Sequence, residues 1–270
     1  MQFEDSKPED KFGKEYNEHL IFNQLKKYSE FYDSLSFSIM SWASLGTKAF
    51  LNLDTYAYSS IKGTIDSIID ILKKGRINDA YALLRKFFDS TMINVYTNLF
   101  LQDHFNINNF IVTQIENWRN GTETIPEYRV ISRYIKESER LKPINELLKK
   151  DDRYKKIRDR CNDHTHYNFY RHLLLNDNQI YNPNRVKYLD LFAKDIEAVF
   201  IQHFAYIFYL NDHYMMSSDY SDSLDVRITP EENSQCWVAN FIQKMFNDVI
   251  KISRPDIATE IKQKTEMELE

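Results

Sequence analysis

Along almost the whole chain the apolar residues return at helical steps, and the residues that would interrupt such steps are scarce. From about Lys14 to Trp42, Tyr16, Leu20, Leu25, Tyr28, Phe31, Tyr32, Leu35 and Ile39 keep a helical period, and Gly46 ends that element. Leu53-Asp54-Thr55 opens a second helix with the stripe Ile61, Ile65, Ile68, Ile69 and Leu72. Lys73, Lys74 and Gly75 close it, with cations at the negative end of the helix dipole and a glycine just beyond. After a short turn, with Asn78 or Asp79 as the cap, a third helix runs through Ala80, Leu83, Leu84, Phe87, Phe88, Met92, Val95, Tyr96 and Leu99. Two long helices joined by so short a turn are expected to pack antiparallel. In the third, Arg85 and Asp89 stand four apart, the spacing of an intrahelical ion pair; if buried, the pair would instead orient something across a bundle. With 5 Gly and 6 Pro in 270 residues, an all-β fold built on many tight turns is excluded.

The rest of the chain reads the same way. Residues 107–119 form a short helix ending near Trp118. Pro126 opens one that reads to about Glu139, and Pro143 opens another through Leu148. Asp151 and Asp152 start a helix whose inward positions are Tyr154, Ile157 and Cys161. Tyr167, Phe169, Tyr170, Leu173, Leu174 and Leu175 make an apolar patch after it. Asn176-Asp177-Asn178 and Asn182-Pro183-Asn184 bound a linker. Arg185 to Tyr214 is the longest helix, apolar on more than one face and so central or at an interface. An acidic loop at 217–228 precedes Thr229-Pro230-Glu231-Glu232, a capping-box helix start. That helix carries Trp237, Phe241, Met245, Phe246 and Ile250. Pro255 opens a last helix that frays by Glu270. The expectation is an all-α helical bundle with long antiparallel helices and additional C-terminal helices, in one domain over 1–270 with residues 1–12 loose.

Charge is unevenly placed. The net of −5 does not mark a general nucleic-acid binder, so such a role needs a local basic patch. Residues 133–160 supply one, with 11 Lys/Arg against 6 Asp/Glu, whereas 211–270 carry 6 against 12. Cys161 and Cys236 are far apart and in no metal-ligand spacing, which fits a reducing compartment. The acidic start Met1-Gln2-Phe3-Glu4-Asp5 lacks the features of a signal peptide. The apolar run Ala198–Leu210 is too short to span a bilayer. A cytoplasmic protein without a membrane anchor is expected.

The basic segment runs into Arg158-Asp159-Arg160-Cys161-Asn162-Asp163-His164-Thr165-His166-Tyr167-Asn168, the densest set of chemically able side chains in the sequence. Five residues separate Arg160 from His166, and five separate Arg158 from His164. Metal-free RNA cleavage needs a group to take the 2′-hydroxyl proton, positive charge for the phosphorane and a proton for the leaving 5′-oxygen. Histidine can serve as base or acid near neutral pH. Arginine can hold phosphate oxygens through paired hydrogen bonds. Positions four apart share a helix face, which pairs Arg160 with His164. Arg160 and His166, six apart, converge only if the helix ends between them or if a two-fold dimer brings a second set opposite. The alternative use of these residues is to cap a helix and tie it to its neighbours. Cys161 is either a small apolar filler or an activated nucleophile. No Glu-x-x-His pair or phosphate-binding glycine loop is present, and His164-x-His166 would diverge on a helix, so no metal or cofactor is expected.

Two stretches resemble the HEPN-like superfamily, in particular large bacterial members of abortive-infection or uncharacterised type. One is Gly75-Arg76-Ile77-Asn78-Asp79-Ala80-Tyr81-Ala82-Leu83-Leu84-Arg85, similar to an early helical hairpin of those proteins. The other is the stretch 158–168, whose Asn162 and His166 fit the Arg-Asn-x-x-x-His form, with Cys161 in place of its Arg and Arg160 one position earlier. The resemblance implies a helical bundle, a homodimer with two motifs in one cleft, and RNA as substrate. It makes Arg160 and His166 the first-choice catalytic pair, Asn162 the positioning residue, and His164 and Arg158 second choices. Arg153, Lys155, Lys156 and Tyr167 are the candidate RNA contacts. The expected activity is that of a metal-independent endoribonuclease in a toxin or antiphage defence system. The alternative is a non-catalytic helical module that partners another defence protein.

Overall fold

The computed structural model describes residues 12–40, 53–106, 111–176, 182, 184–217, 226–228, 238–265 and 267–270. Among these the fold is all-α, with no β-strand. The helices are α1 (Lys14–Asn17), α2 (Ile21–Met40), α3 (Leu53–Lys73), α4 (Ile77–His104), α5 (Thr113–Arg119), α6 (Tyr128–Glu137), α7 (Lys142–Leu148) and α8 (Arg153–Thr165). They continue with α9 (Tyr170–Leu173), α10 (Arg185–Leu210), α11 (Asn240–Met245), α12 (Lys251–Ser253) and α13 (Pro255–Lys264). None of the described helices is long and apolar enough to cross a membrane. Gly46, Trp42, the acidic stretch 218–225, the helix start Thr229–Glu232 and Trp237 lie outside the described residues.

The chain divides into two compact units. The first comprises Met1–Glu30, Ser60–Phe88 and Asp152–Phe200. Its core holds Tyr16, Leu25, Tyr28, Ile61, Ile65, Ile68, Leu72, Tyr81, Leu84, Phe192 and Ile196, all almost completely buried. Tyr28 stacks on Phe200 with centroids 4.1 Å apart, and the Tyr16 hydroxyl donates to the Leu72 carbonyl at 2.7 Å. The end of α3 is the Lys-Lys-Gly stop expected from sequence. Gly75 N–H bonds Leu72 O and Arg76 N–H bonds Ile71 O, with Gly75 at φ 73, the left-handed conformation glycine adopts without strain. A side chain at Gly75 would also collide with Phe12 and with Arg185, whose guanidinium donates to the Gly75 carbonyl at 2.8 Å.

The second unit comprises Phe31–Ser59, Asp89–Asp151 and Ile201–Glu270. Phe31 packs against Phe204, Phe208 and Phe241. Below that cluster runs a buried polar network. Asp54 accepts from Asn94 at 2.9 Å, Asn98 at 2.6 Å and Tyr214 at 2.5 Å. Asn94 spends its amide N–H on Asp54, so its oxygen accepts from His203 Nε2 at 3.0 Å, and His203 Nδ1 accepts from the Tyr32 hydroxyl at 2.8 Å. Burial pushes the His203 pKa down to about 3, so the ring is neutral.

Several sequence expectations are corrected. The first helix is not continuous from Lys14: it breaks between Asn17 and Ile21, and Leu20 there is exposed rather than in the apolar stripe. Neither Asn78 nor Asp79 caps α4 with its own side chain. The Ile77 N–H bonds the Leu175 carbonyl at 3.0 Å and the Asp79 N–H bonds Asn176 Oδ1 at 3.2 Å, so a distant turn satisfies the orphan donors. The helix expected from residue 107 starts at Thr113, and residues 107–110 lie outside the described ones. The helix read from Arg185 to Tyr214 as the longest ends at Leu210, where a 3-10 turn, Asp212–Met215, takes over, and its 26 residues fall short of the 28 of α4. The last helix ends at Lys264, short of Glu270, and the residues described after it still pack: Met267 and Leu269 are buried, and the Glu270 N–H bonds Gln243 at 3.1 Å.

Candidate functional site

The motif lies on α8 and on the turn after it, within the first unit. Ile157, Cys161 and His164 face inward at spacings of four and three, and Tyr154 is only half-buried. The helix runs to Thr165 and ends just before His166, and His166 does not join Arg160 in lining the cleft beside this helix. His166 is the C-cap, the Tyr167 N–H bonds His164 O at 3.3 Å and the Asn168 N–H bonds Asp163 O at 3.0 Å. This Schellman closure puts Tyr167 at φ 50, where a glycine is usual. His166 is exposed on that turn.

A cleft of about 260 Å³ opens beside the helix. Lys156, Asp159, Arg160, Asp163 and His164 line it from α8, Arg171 and His172 from α9, and Tyr188 and Leu191 from α10. Of the sequence candidates, Arg160, His164 and Lys156 therefore share one cavity. Arg158, Asn162, His166, Arg153, Lys155 and Tyr167 are not among its lining residues.

Three of the motif side chains, Arg160, Asn162 and His164, are held by neighbours. Arg160 forms an ion pair with Asp195 of α10, with both contacts running through Nη1, so that Nη2 and Nε carry no contact to Asp195. Burial works against the charge of Arg160, and Asp195 more than offsets it, keeping the guanidinium charged. Burial in turn pushes the Asp195 carboxyl above the usual range against the pull of Arg160. Asn162 accepts a short hydrogen bond from Arg85, which therefore reaches across to α8. His164 is buried at 1% exposure. Asn78 donates from Nδ2 to the His164 carbonyl at 2.8 Å, which turns its Oδ1 toward His164 Nδ1, also at 2.8 Å. An amide oxygen only accepts, so His164 carries its proton on Nδ1. Its ring is sandwiched between Tyr81 and His172, each with centroids 4.0 Å away. Burial, then the charges of His172, Arg160 and Arg171, push its pKa down to about 3. His164 is thus neutral at pH 7 and suited to holding the stack rather than trading protons.

Four residues here escaped the sequence reading. Asn78 looked like a cap, but it clamps a residue 86 positions away. Asp195 is one of three acids, with Asp190 and Glu197, in the first half of a helix read as apolar on more than one face, and nothing local marked it out from the other two. Arg171 and His172 follow the motif closely but sit within a stretch read only as an apolar patch. Tyr167, Phe169, Tyr170 and Leu173 of that patch are exposed at 42%, 46%, 75% and 46%, and Leu175 alone is fully buried. The short helix α9 instead turns His172 inward, where its Nδ1 donates to the Asp163 carbonyl at 3.1 Å. Among the described residues no group of three or more His, Cys, Asp or Glu is arranged to hold a metal ion. Comparison with protein-family models, curated proteins and solved structures found no match for this chain.

Proposed function

We propose that the chain is a metal-independent endoribonuclease of HEPN-like type, acting as a homodimer in toxin or antiphage defence. The observation that supports this reading best is the cleft. It gathers Arg160, Lys156 and Arg171 around two stacked imidazoles, in a part of the chain with a local excess of cations. Arg160 keeps its Nη2 and Nε edge for phosphate oxygens while Asp195 holds Nη1, so the fork is both fixed and usable. In this reading Arg160 steadies the phosphorane, Asn162 holds the local backbone and side-chain order through Arg85, and exposed His166 exchanges the proton. Arg158, Arg153, Lys155 and Tyr167 border the path of the strand. A second subunit would bring another His166 opposite across a two-fold axis. The test is incubation of the purified protein with total RNA in EDTA. Cleavage by the wild type and its loss in both Arg160→Ala and His166→Ala supports the reading. Full cleavage by either variant, or none by a folded wild type, overturns it. Light scattering that gives a monomer mass would remove the dimer.

A second reading, a non-catalytic helical module that binds a defence partner, is favoured by one observation. The side chains of Arg160, Asn162 and His164 all make internal bonds, to Asp195, Arg85 and Asn78. Expression in a bacterial host separates the two. Toxicity of the wild type that His166→Ala abolishes supports the enzyme. Equal growth of both strains supports the module.

A further inference from the structure

We infer that His172, outside the motif, is the proton-donating imidazole of the cleft, and that Arg171 beside it binds the same phosphate. The inference rests on the ribonuclease reading and gives that site an acid which the motif alone does not supply.

Orientation is the first ground. A carbonyl only accepts, so the bond from His172 Nδ1 to Asp163 O fixes a proton on Nδ1. Nε2 is then the atom left to exchange a proton with a ligand. The ring is held on two further sides. His164 stacks against one face at 4.0 Å and 16°, and Phe169 meets it edge-on at 5.4 Å and 87°. The guanidinium of Arg171 lies 4.8 Å from the centre of that same Phe169 ring. One exposed phenyl ring therefore positions both the histidine and the arginine at the cleft.

Proton counting is the second ground. Two imidazoles stacked this closely do not both carry a second proton, because the like charges would repel across a partly desolvated gap. His164 is the ring that stays neutral: Tyr81 covers its other face, Asn78 occupies its Nδ1, and burial holds its pKa near 3. Of the two rings, His172 is therefore the one whose Nε2 is left to hand a proton to a ligand. The groups that face this proton are Lys156, Asp159, Arg160 and Asp163 on α8, Arg171 on α9 and Tyr188 on α10. Tyr81 and Asp195 lie behind His164 and Arg160, joined by the Tyr81 hydroxyl at 3.3 Å. Of the three lining cations, Arg160 pairs with Asp195 and Lys156 with Asp152 at 2.8 Å, which leaves Arg171 and the Nη2–Nε edge of Arg160 to meet a phosphodiester.

The step balances as follows. The 2′-hydroxyl of the RNA gives its proton to a base, in this reading a His166 brought to the cleft by the second subunit, since His166 does not line the cleft of its own chain, and its oxygen bonds to the adjacent phosphorus. The P–O5′ bond breaks, and the leaving oxygen takes the proton from His172 Nε2. A 2′,3′-cyclic phosphate and a 5′-hydroxyl result. His172 ends neutral and His166 protonated, and solvent restores both.

Two measurements test this. In the first, protein labelled at the histidine rings is titrated with inorganic phosphate and followed by nuclear magnetic resonance. The His172 Nε2 signal is expected to move and saturate, with His164 keeping its neutral Nδ1–H signature. In Arg171→Gln, a surface change that spares the fold, the apparent affinity falls about tenfold or more, the scale of one charge-assisted contact. A response at His166 with none at His172 overturns the inference. In the second, cleavage in EDTA is followed against pH. His172→Gln, shown folded by circular dichroism, loses about 10²-fold or more in rate, with loss of the alkaline limb of the profile. Wild-type rates in that variant overturn the inference and leave the ribonuclease reading to His166. A wild type that binds phosphate through His172 but never cleaves RNA overturns the ribonuclease reading and the donor role together, leaving only the anion site.

Discussion

Acidification from pH 7 to pH 5 is expected to destabilise this protein through its two buried neutral histidines. His164 and His203 each have a pKa lowered from 6.5 to about 3, with burial the largest cause. The sign follows from linkage. A folded value below the unfolded one means that the unfolded chain binds the proton more readily. The contribution is therefore whole above about pH 6.5 and is lost as the pH falls toward 3. At pH 5 an unfolded histidine is almost fully protonated and these two rings are still neutral. That asymmetry is worth about 2 kcal/mol for each ring at pH 5, against almost nothing at pH 7. Any folded value below about 4 gives the same result, so the figure is set by the unfolded chain. Urea unfolding at the two pH values, in wild type, His164→Gln and His203→Gln, measures it. Each variant is less stable than wild type at pH 7 but is expected to lose about 2 kcal/mol less on going to pH 5. Two variants with the full pH dependence of the wild type would refute the reasoning.

Other consequences can be measured directly. Asn78→Ala leaves His164 Nδ1 and its carbonyl without the amide that satisfies both, at a cost of about 1–3 kcal/mol in chemical denaturation. A neutral effect would mean that water replaces the amide. Gly75→Ala forces a side chain into a left-handed position against Phe12 and Arg185 and is expected to lower the melting temperature by more than the ~1 kcal/mol of conformational strain alone implies. An unchanged melting temperature would show that both neighbours yield. Arg254 bonds Asp256 at 2.8 and 2.9 Å and holds its carboxyl well below the usual range. That stability is present above the unfolded value near 4 and is lost in stronger acid. In Arg254→Ala the acid transition is expected to flatten below pH 4; an identical acid transition would remove the assignment.

The elements themselves were written in local sequence. The Ile61–Leu72 stripe and the Lys73-Lys74-Gly75 stop fixed α3 because a helix period and a left-handed glycine are properties of neighbouring residues. Pro143 and Pro255 sit in the first turns of their helices for the same reason. The sequence also placed Arg160 and His164 on one face, and both line the cleft. Period alone could not say what that face would meet. Asp195 lies 35 residues from Arg160, and Asn78 lies 86 from His164, so only packing brought them together. Packing also decided which histidine was which. By composition His164, His166 and His172 are the same side chain. Burial between Tyr81 and its neighbours made His164 neutral, the helix end exposed His166, and the fold of α9 carried His172 into the cleft. A side chain's partners and its loss of water are set by residues distant in sequence, so the one-dimensional pattern determined the helices and only the tertiary structure decided the chemistry of the site.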